Sequence, residues 1–429
     1  MIGRRDMLAL GAAVAAGSGS AAEPPAGSDG EAAWREYLEA LEYARAKMLN
    51  STRCRDAGDR TRALYDVQML STVGFNMYMA PRRAHPNFYI HPIFMPFEMT
   101  WGQPCPDFLY RWAVLSGRNT YRIWGQVGDA PFLDIQVMDG FWGDPSSSNV
   151  ANVFPGEHAD SQGRFEIFLS PDPQPGKTWV AIPRETRNVV LNSREAWWDW
   201  EHDRGAKMQI EAVTVVDPEA EWTYTEAEFN RRLREQARWV RANADFNISM
   251  IDHIQAKAGG VNVFAIEWDK DLRLGGKDMG GNPKALKGRM VFDIAPDEAL
   301  VVEVEAPRAA YWSYSIGDIW YQTPDYSYHQ SSLNGHQTSV DRDGRVRYVM
   351  AQQDPGAPNW IDLVGLTQGF VNFRFYDPKG GYTPKPVIRK VKFAELRAAL
   401  PSDTPVIGPQ ERREQLSRRA RASLARYGY

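Results

Sequence analysis

The sequence predicts a mainly β protein with helices: two jelly-roll-like antiparallel β-sandwich domains from an internal duplication. Three observations carry that fold class. Short runs of alternating apolar and polar residues, separated by Gly, Pro and Asp turns, recur between Tyr121 and Tyr376. Helical periodicity is confined to the two ends and one central segment. One set of anchors also occurs twice. Gly163-Arg-Phe-Glu-Ile-Phe-Leu leads to Trp179, and Gly344-Arg-Val-Arg-Tyr-Val-Met leads to Trp360, with equal spacing from each arginine to its tryptophan. Upstream, Phe132 to Trp142 matches Tyr311 to Trp320 in alternation and in the closing Trp. A period of roughly 180 residues indicates a domain duplication and not a solenoid. Short strands with frequent turns favour sandwiches over a parallel α/β sheet.

Residues 1–22 carry Arg4-Arg5, an apolar run from Met7 to Ala16 and the small residues Ser20-Ala21-Ala22. This pattern predicts a twin-arginine export signal, too short to span a bilayer, and a periplasmic or secreted protein. Residues 23–30 are a linker. Residues 31–106 hold N-terminal helices and a proline-rich loop. The first helix is marked by Trp34, Leu38, Leu41 and Met48. The second is capped by Asp59 and carries Leu64, Tyr65 and Met69 up to Gly74. Pro81 to Pro106 contains six prolines, so no regular element is expected there.

The first sandwich is expected over 107–220, where Tyr121–Val127 and Phe132–Asp139 flank a turn and read as a hairpin. A linking helix covers 223–258. Thr225 and Glu228 supply a capping box, and Phe229, Leu233, Val240, Ile248, Ile251 and Ile254 an apolar face. Gly259-Gly260 ends it, with a break expected near Asn247. The second sandwich covers 261–400. A basic helix over 408–429, with Leu416 and Leu424 on one side, closes the chain.

The 429 residues have 43% apolar content and a net charge of −4, so nucleic acid is not expected as a partner. Aromatic residues are abundant, with 15 Trp, 18 Tyr and 18 Phe, as in β-rich proteins and in surfaces that stack on flat ligands. The two cysteines, Cys54 and Cys105, either pair in an oxidising compartment or remain separate thiols.

Tyr326-Ser-Tyr-His-Gln-Ser-Ser-Leu-Asn, Asp343-Gly344, Asp354-Pro355-Gly356, Asn359-Trp360-Ile361-Asp362 and Phe373-Arg374-Phe375 resemble the bacterial domain of unknown function numbered 1214. The resemblance runs from about Leu300 to Arg389. That domain often accompanies the one numbered 1254 in exported proteins. The resemblance implies a β-sandwich or jelly roll and brings no catalytic residues with it.

Acid–base chemistry needs paired ionisable groups. Asp354, Asp362, His329 and His336 are the catalytic candidates. Asp134 and Asp139 are further carboxylates, and an Asp beside Gly or Pro more often caps a turn. His85 and His91 repeat the His329–His336 spacing, but there is no HExxH and no dense ligand set. No metal and no cofactor is predicted. Ser331 and Ser332 lack a nucleophile elbow. Gly275 to Asn282 reads as a flexible loop or lid. Rings at Trp197, Trp198, Trp200, Tyr311, Trp312 and Tyr314 suit stacking on sugars or aromatic compounds, although such rings also fill sandwich cores.

The candidate ligand-binding residues are Tyr326, Tyr328, Gln330, Ser331, Asn334, Gln337, Asn359, Trp360 and Arg374. The first repeat lacks Tyr326 to Gln337, which singles that stretch out for function. The expected function is binding of a glycan-like or aromatic small molecule by an exported protein, without stable membrane insertion. The alternative is a periplasmic hydrolase or lyase using Asp/His acid–base chemistry. Oligomeric state is left open.

Overall fold

The computed structural model describes residues 28–428 apart from 92–99, 146, 222, 275–276 and 280. The export signal at 1–22 lies outside the described residues, as do most of the linker, Pro92 and Pro96, and part of the glycine-rich loop.

Three helices form one layer. Helix α1 (Asp29–Leu49) starts where the Ser28 hydroxyl accepts from the Glu31 amide, and α2 (Ala57–Gly74) runs on into a π turn over Phe75–Met79. Both pack on α3 (Glu226–Ala258). The face expected for α1 holds only toward its C-terminal end, where Leu41 packs against the core and Met48 is buried. Trp34 and Leu38 are 48% and 49% exposed, while Ala33, Ala40, Ala44 and Met48 are buried. Alanines let the backbones of α1 and α3 approach, and a tryptophan in that stripe would hold them apart. Leu64 and Tyr65 of α2 are likewise exposed. The cap of α2 is Asp56, which accepts from the Asp59 amide at 2.8 Å; Asp59 itself is buried and paired with Arg62.

Helix α3 begins at Thr225, whose side chain accepts from the Glu228 amide, and ends at Gly259 with φ +76°. It runs unbroken through Asn247. That side chain donates to Asp66 across the α2–α3 contact at 3.2 Å, so it does not compete with its own backbone. Leu233, Val240, Ile251 and Ile254 are buried as expected, but Phe229 is exposed.

In the first sandwich, one sheet has the order β1 (Tyr89–His91), β2 (Phe108–Leu115), β8 (Val189–Ala196), β4 (Leu133–Asp139), β5 (Ser148–Val153). The other has β7 (Trp179–Ala181), β6 (Arg164–Ser170), β3 (Thr120–Gln126), β9 (Lys207–Thr214). In the second sandwich the five-stranded sheet is β10 (Ala265–Trp268), β13 (Ala285–Asp293), β19 (Gln368–Pro378), β15 (Ala309–Gly317), β16 (Ser332–Asn334). Its partner is β18 (Trp360–Asp362), β17 (Arg345–Ala351), β14 (Glu298–Glu305), β20 (Val387–Lys392). A small hairpin, β11 (Arg273–Leu274) and β12 (Lys277–Asp278), is inserted after β10.

With that insertion set aside, the two strand orders coincide strand for strand. The repeated anchors do too. Strands β6 and β7 are parallel with Phe168 opposite Trp179; β17 and β18 are parallel with Val349 opposite Trp360. Each indole donates to a carbonyl at the end of the neighbouring strand, Ser170 or Ala351, at 3.0 Å. Gly163 and Gly344 precede β6 and β17 with φ +75° and +78°, where only glycine sits without strain.

Strands β3 and β4 are not a hairpin. Strand β3 pairs with β6 and β9, and β4 pairs with β5 and β8 in the opposite sheet. Alternation shows that both are strands; it does not show which sheet each joins.

The five-stranded sheets face each other. Phe108, Phe132, Tyr311 and Tyr376 meet between them, with Phe132 stacked on Tyr376 at 3.7 Å. Helix α4 (Pro409–Ala425) docks on this body with Arg412, Arg419, Ala422 and Ser423 buried and Leu416 and Leu424 half-buried. Arg412, Arg419 and the following Arg426 lie two turns apart on one face. Arg412 pairs with Asp354 at 2.9 Å, and Arg419 and Arg426 both cover the Trp200 ring. No described helix is long and apolar enough to cross a membrane, and both cysteines are free thiols.

Candidate functional site

Where the five-stranded sheets face each other they leave a cleft with a cavity of about 70 Å³. Alternation along the strands sets its walls. Phe108, Tyr110 and Trp112 line it from β2, Arg194 from β8, Ala285 and Lys287 from β13, and Asn372, Arg374 and Tyr376 from β19. Trp101 to Pro104 closes one side. Gly102 and Gln103 both have positive φ, +77° and +51°. A left-handed glutamine is uncommon, and here its Oε1 accepts from Arg374 and Asn372, at 2.8 and 2.9 Å.

The polar groups form three sets. In the first, Arg194 and Asp134 make a bidentate pair at 2.9 and 2.7 Å, and the Asn282 amide also donates to Asp134. In the second, Asp269 holds Lys287 at 2.6 Å and Arg289 at 2.8 Å, while Glu267 holds Arg289 at 2.7 Å. Burial and the nearby Arg289 and Arg374 guanidiniums pull the Lys287 ammonium down to about 7, although Asp269 opposes them. In the third, Arg374 donates to Ser315 and Gln103, both neutral. The Asn372 side-chain oxygen is buried with no protein partner.

Of the candidate catalytic and ligand-binding residues, the structure brings only Arg374 to this cleft; of the rings and carboxylates also read from the sequence, Tyr311 lines it and Asp134 holds Arg194. Tyr326 lies under α4, its hydroxyl 3.1 Å from that of Tyr427. Tyr328 is exposed. Gln330 donates to the Trp360 carbonyl, Ser331 to the Asp325 carbonyl, and Asn359 to the Ser339 carbonyl. Gln337 accepts from the Asn334 amide. Trp360 donates to its strand neighbour and lies beneath Arg412. The Asn334 amide donates to Asp107 at 3.0 Å and to the Trp198 carbonyl at 2.9 Å, tying the sandwiches together.

The four catalytic candidates do not converge. His329 meets Asp362 at 2.8 Å, on an imidazole 43% exposed. His336 instead faces Asp199 at 3.6 Å, and Asp354 serves Arg412 and the Gly356 turn amide. Asp362 also accepts a turn amide, that of Val364. Asp139 accepts from Thr186. His85 lies near Glu221, at 3.2 Å. No metal-ligating cluster occurs among the described residues.

Sequence reasoning missed Asp107, Lys287 and the Arg194 side of the cleft. One signal was available: Asn192-x-Arg194 and Asn372-x-Arg374 repeat at matching points of β8 and β19.

Residues 291–380 match a family model described as "Protein of unknown function (DUF1214)", in agreement with the resemblance drawn from the Tyr326–Tyr376 motifs. A crystal structure of an uncharacterised protein from Burkholderia cenocepacia is similar, with a TM-score of 0.74 and 23% identity over 84% of this chain and 97% of that one. A protein from Vibrio parahaemolyticus aligns over 85% of this chain and 100% of its own, with 14% identity and a TM-score of 0.44. No curated protein sequence matches. The Burkholderia likeness supports a shared β-rich fold.

Proposed function

We propose that this chain binds a small aromatic molecule in the cleft between its two sandwiches. The observation that carries the reading is the composition of the cleft: stacked and edge-on rings on both walls, with Arg194, Lys287, Asn372 and Arg374 converging between them. Concave, largely aromatic sites with a few placed polar groups are the usual form of a small-molecule site. The modest volume argues against a glycan, and a single ring would sit partly in the open mouth of the cleft. The twin-arginine pattern supports export to the periplasm, and the matching strand orders support two duplicated jelly-roll-like domains over 107–220 and 261–400.

A hydrolase or lyase remains the second reading. It is favoured by Lys287, whose amine is brought to about 7 beside Asp269 and so suits proton transfer near neutrality. The cleft reading is tested by thermal shift and tryptophan fluorescence against a set of small aromatic compounds. At least one should bind wild type and fail to bind Ala285→Phe, which fills the cleft. Binding that survives in Ala285→Phe, or no binding at all, rejects the reading.

A further inference from the structure

We infer that the cleft takes an aromatic carboxylate whose anion is seated on Arg374, with its ring against the aromatic walls. The inference rests on the cleft being a ligand site and adds the chemical class of the ligand.

The argument starts from charge pairing. A buried guanidinium is costly unless an anion compensates it. Arg194 has Asp134, and Lys287 and Arg289 have Asp269 and Glu267. Arg374 is 7% exposed and has no carboxylate within ion-pair distance among the described residues. Its partners, the Ser315 hydroxyl and the Gln103 amide oxygen, are neutral. The acidic groups around it do not supply a charge either. Burial pushes the Cys105 thiol and the Tyr110, Tyr311 and Tyr321 hydroxyls up, so all four stay protonated near neutrality.

The duplicated topology shows what is different about this arginine. In the first sandwich Arg194 on β8 lies opposite Asp134 on β4. In the second, Arg374 on β19 lies opposite Ser313 on β15, at the matching strands. The position that supplies a counter-ion in one sandwich is neutral in the other. Arg374 therefore faces the cleft as a preformed anion seat beside the Lys287 ammonium, which Asp269 already holds. The orphaned Asn372 oxygen is a second unmet polar group in the same wall. The surrounding rings select an aromatic body over a bare inorganic anion.

The test compares benzoate, benzamide and acetate by calorimetry on the full chain. Benzoate should bind about ten- to a hundredfold more tightly than benzamide, the factor expected for charge-assisted hydrogen bonds, and acetate should bind more weakly than benzoate. Arg374→Gln should lose that advantage, weakening benzoate far more than benzamide. Ser313→Asp, which supplies the internal counter-ion of the first sandwich, should also lose it. Circular dichroism and melting curves confirm that both variants fold. Equal binding of benzamide and benzoate to wild type, or benzoate binding undiminished in Arg374→Gln, overturns the carboxylate class while the cleft reading stands. Failure of every aromatic probe overturns both.

Discussion

Removing the carboxylate of Asp107 should loosen the junction between the sandwiches. Asp107 precedes β2 and is fully buried. It accepts from Trp200 Nε1 at 2.8 Å in the first sandwich, and from Tyr311 Oη at 2.6 Å and Asn334 Nδ2 at 3.0 Å in the second. Asp107→Ala leaves these three buried donors, and the weakly donating Cys105 thiol at 3.8 Å, without this acceptor. Each stranded group costs about 1–3 kcal/mol. Asn334 keeps the Trp198 carbonyl, and the Tyr311 hydroxyl keeps the Cys105 sulfur at 3.5 Å, so the loss is partial at two of the three. The expected destabilisation is about 3–5 kcal/mol. It is read from urea unfolding followed by tryptophan fluorescence, because Trp200 reports directly on the junction. A double-mutant cycle with Tyr311→Phe should give a coupling of about 1–2 kcal/mol. A loss below about 1 kcal/mol for Asp107→Ala, or no coupling to Tyr311, would refute the assignment of Asp107 as the tie between the sandwiches.

Three further outcomes are expected. Burial raises the Asp318 carboxyl to about 6, above its unfolded value, so its contribution is fully present below pH near 4 and is lost as pH rises through about 6. Asp318→Asn should flatten stability over that window and raise it at pH 8 by about 2–3 kcal/mol, measured by urea titration at each pH. The free thiols of Cys54 and Cys105, both shifted up by burial, should react slowly with a thiol reagent in the native protein and fully in denaturant; two unreactive thiols in unreduced, denatured protein would contradict this. Ending the chain at Gly408 should uncover Trp200, Tyr326 and Trp360, red-shifting tryptophan emission and lowering the urea midpoint; an unchanged spectrum would show that Arg412, Arg419 and Arg426 do not seal that face.

The matching anchors were legible because their signals are local. The glycine turn before β6 and β17, the alternation of each strand and the tryptophan that closes onto the strand end all lie within a few residues of one another. Helix α3 was legible through Thr225, its apolar face and Gly259. The face of α1 was not, because alanines are weak apolar signals that matter only when a second helix approaches. The stretch from Tyr326 to Gln337 looked functional because it is polar and absent from the first repeat. Much of that polarity serves internal hydrogen bonds and the docked α4.

By itself, then, the sequence determined many of the strands, the central helix and the recurring anchors, since backbone periodicity, turns and caps are short-range physics. Only the tertiary structure decided which sheets face each other, and with that the charge balance in the cleft. Asp134 and Arg194 are 60 residues apart, as are Ser313 and Arg374 nearly so, and sheet register alone sets them opposite each other. An arginine in an alternating strand reads the same whether its neighbour across the sheet is an aspartate or a serine. Burial makes the difference consequential, because a cation removed from water needs its counter-ion supplied from somewhere.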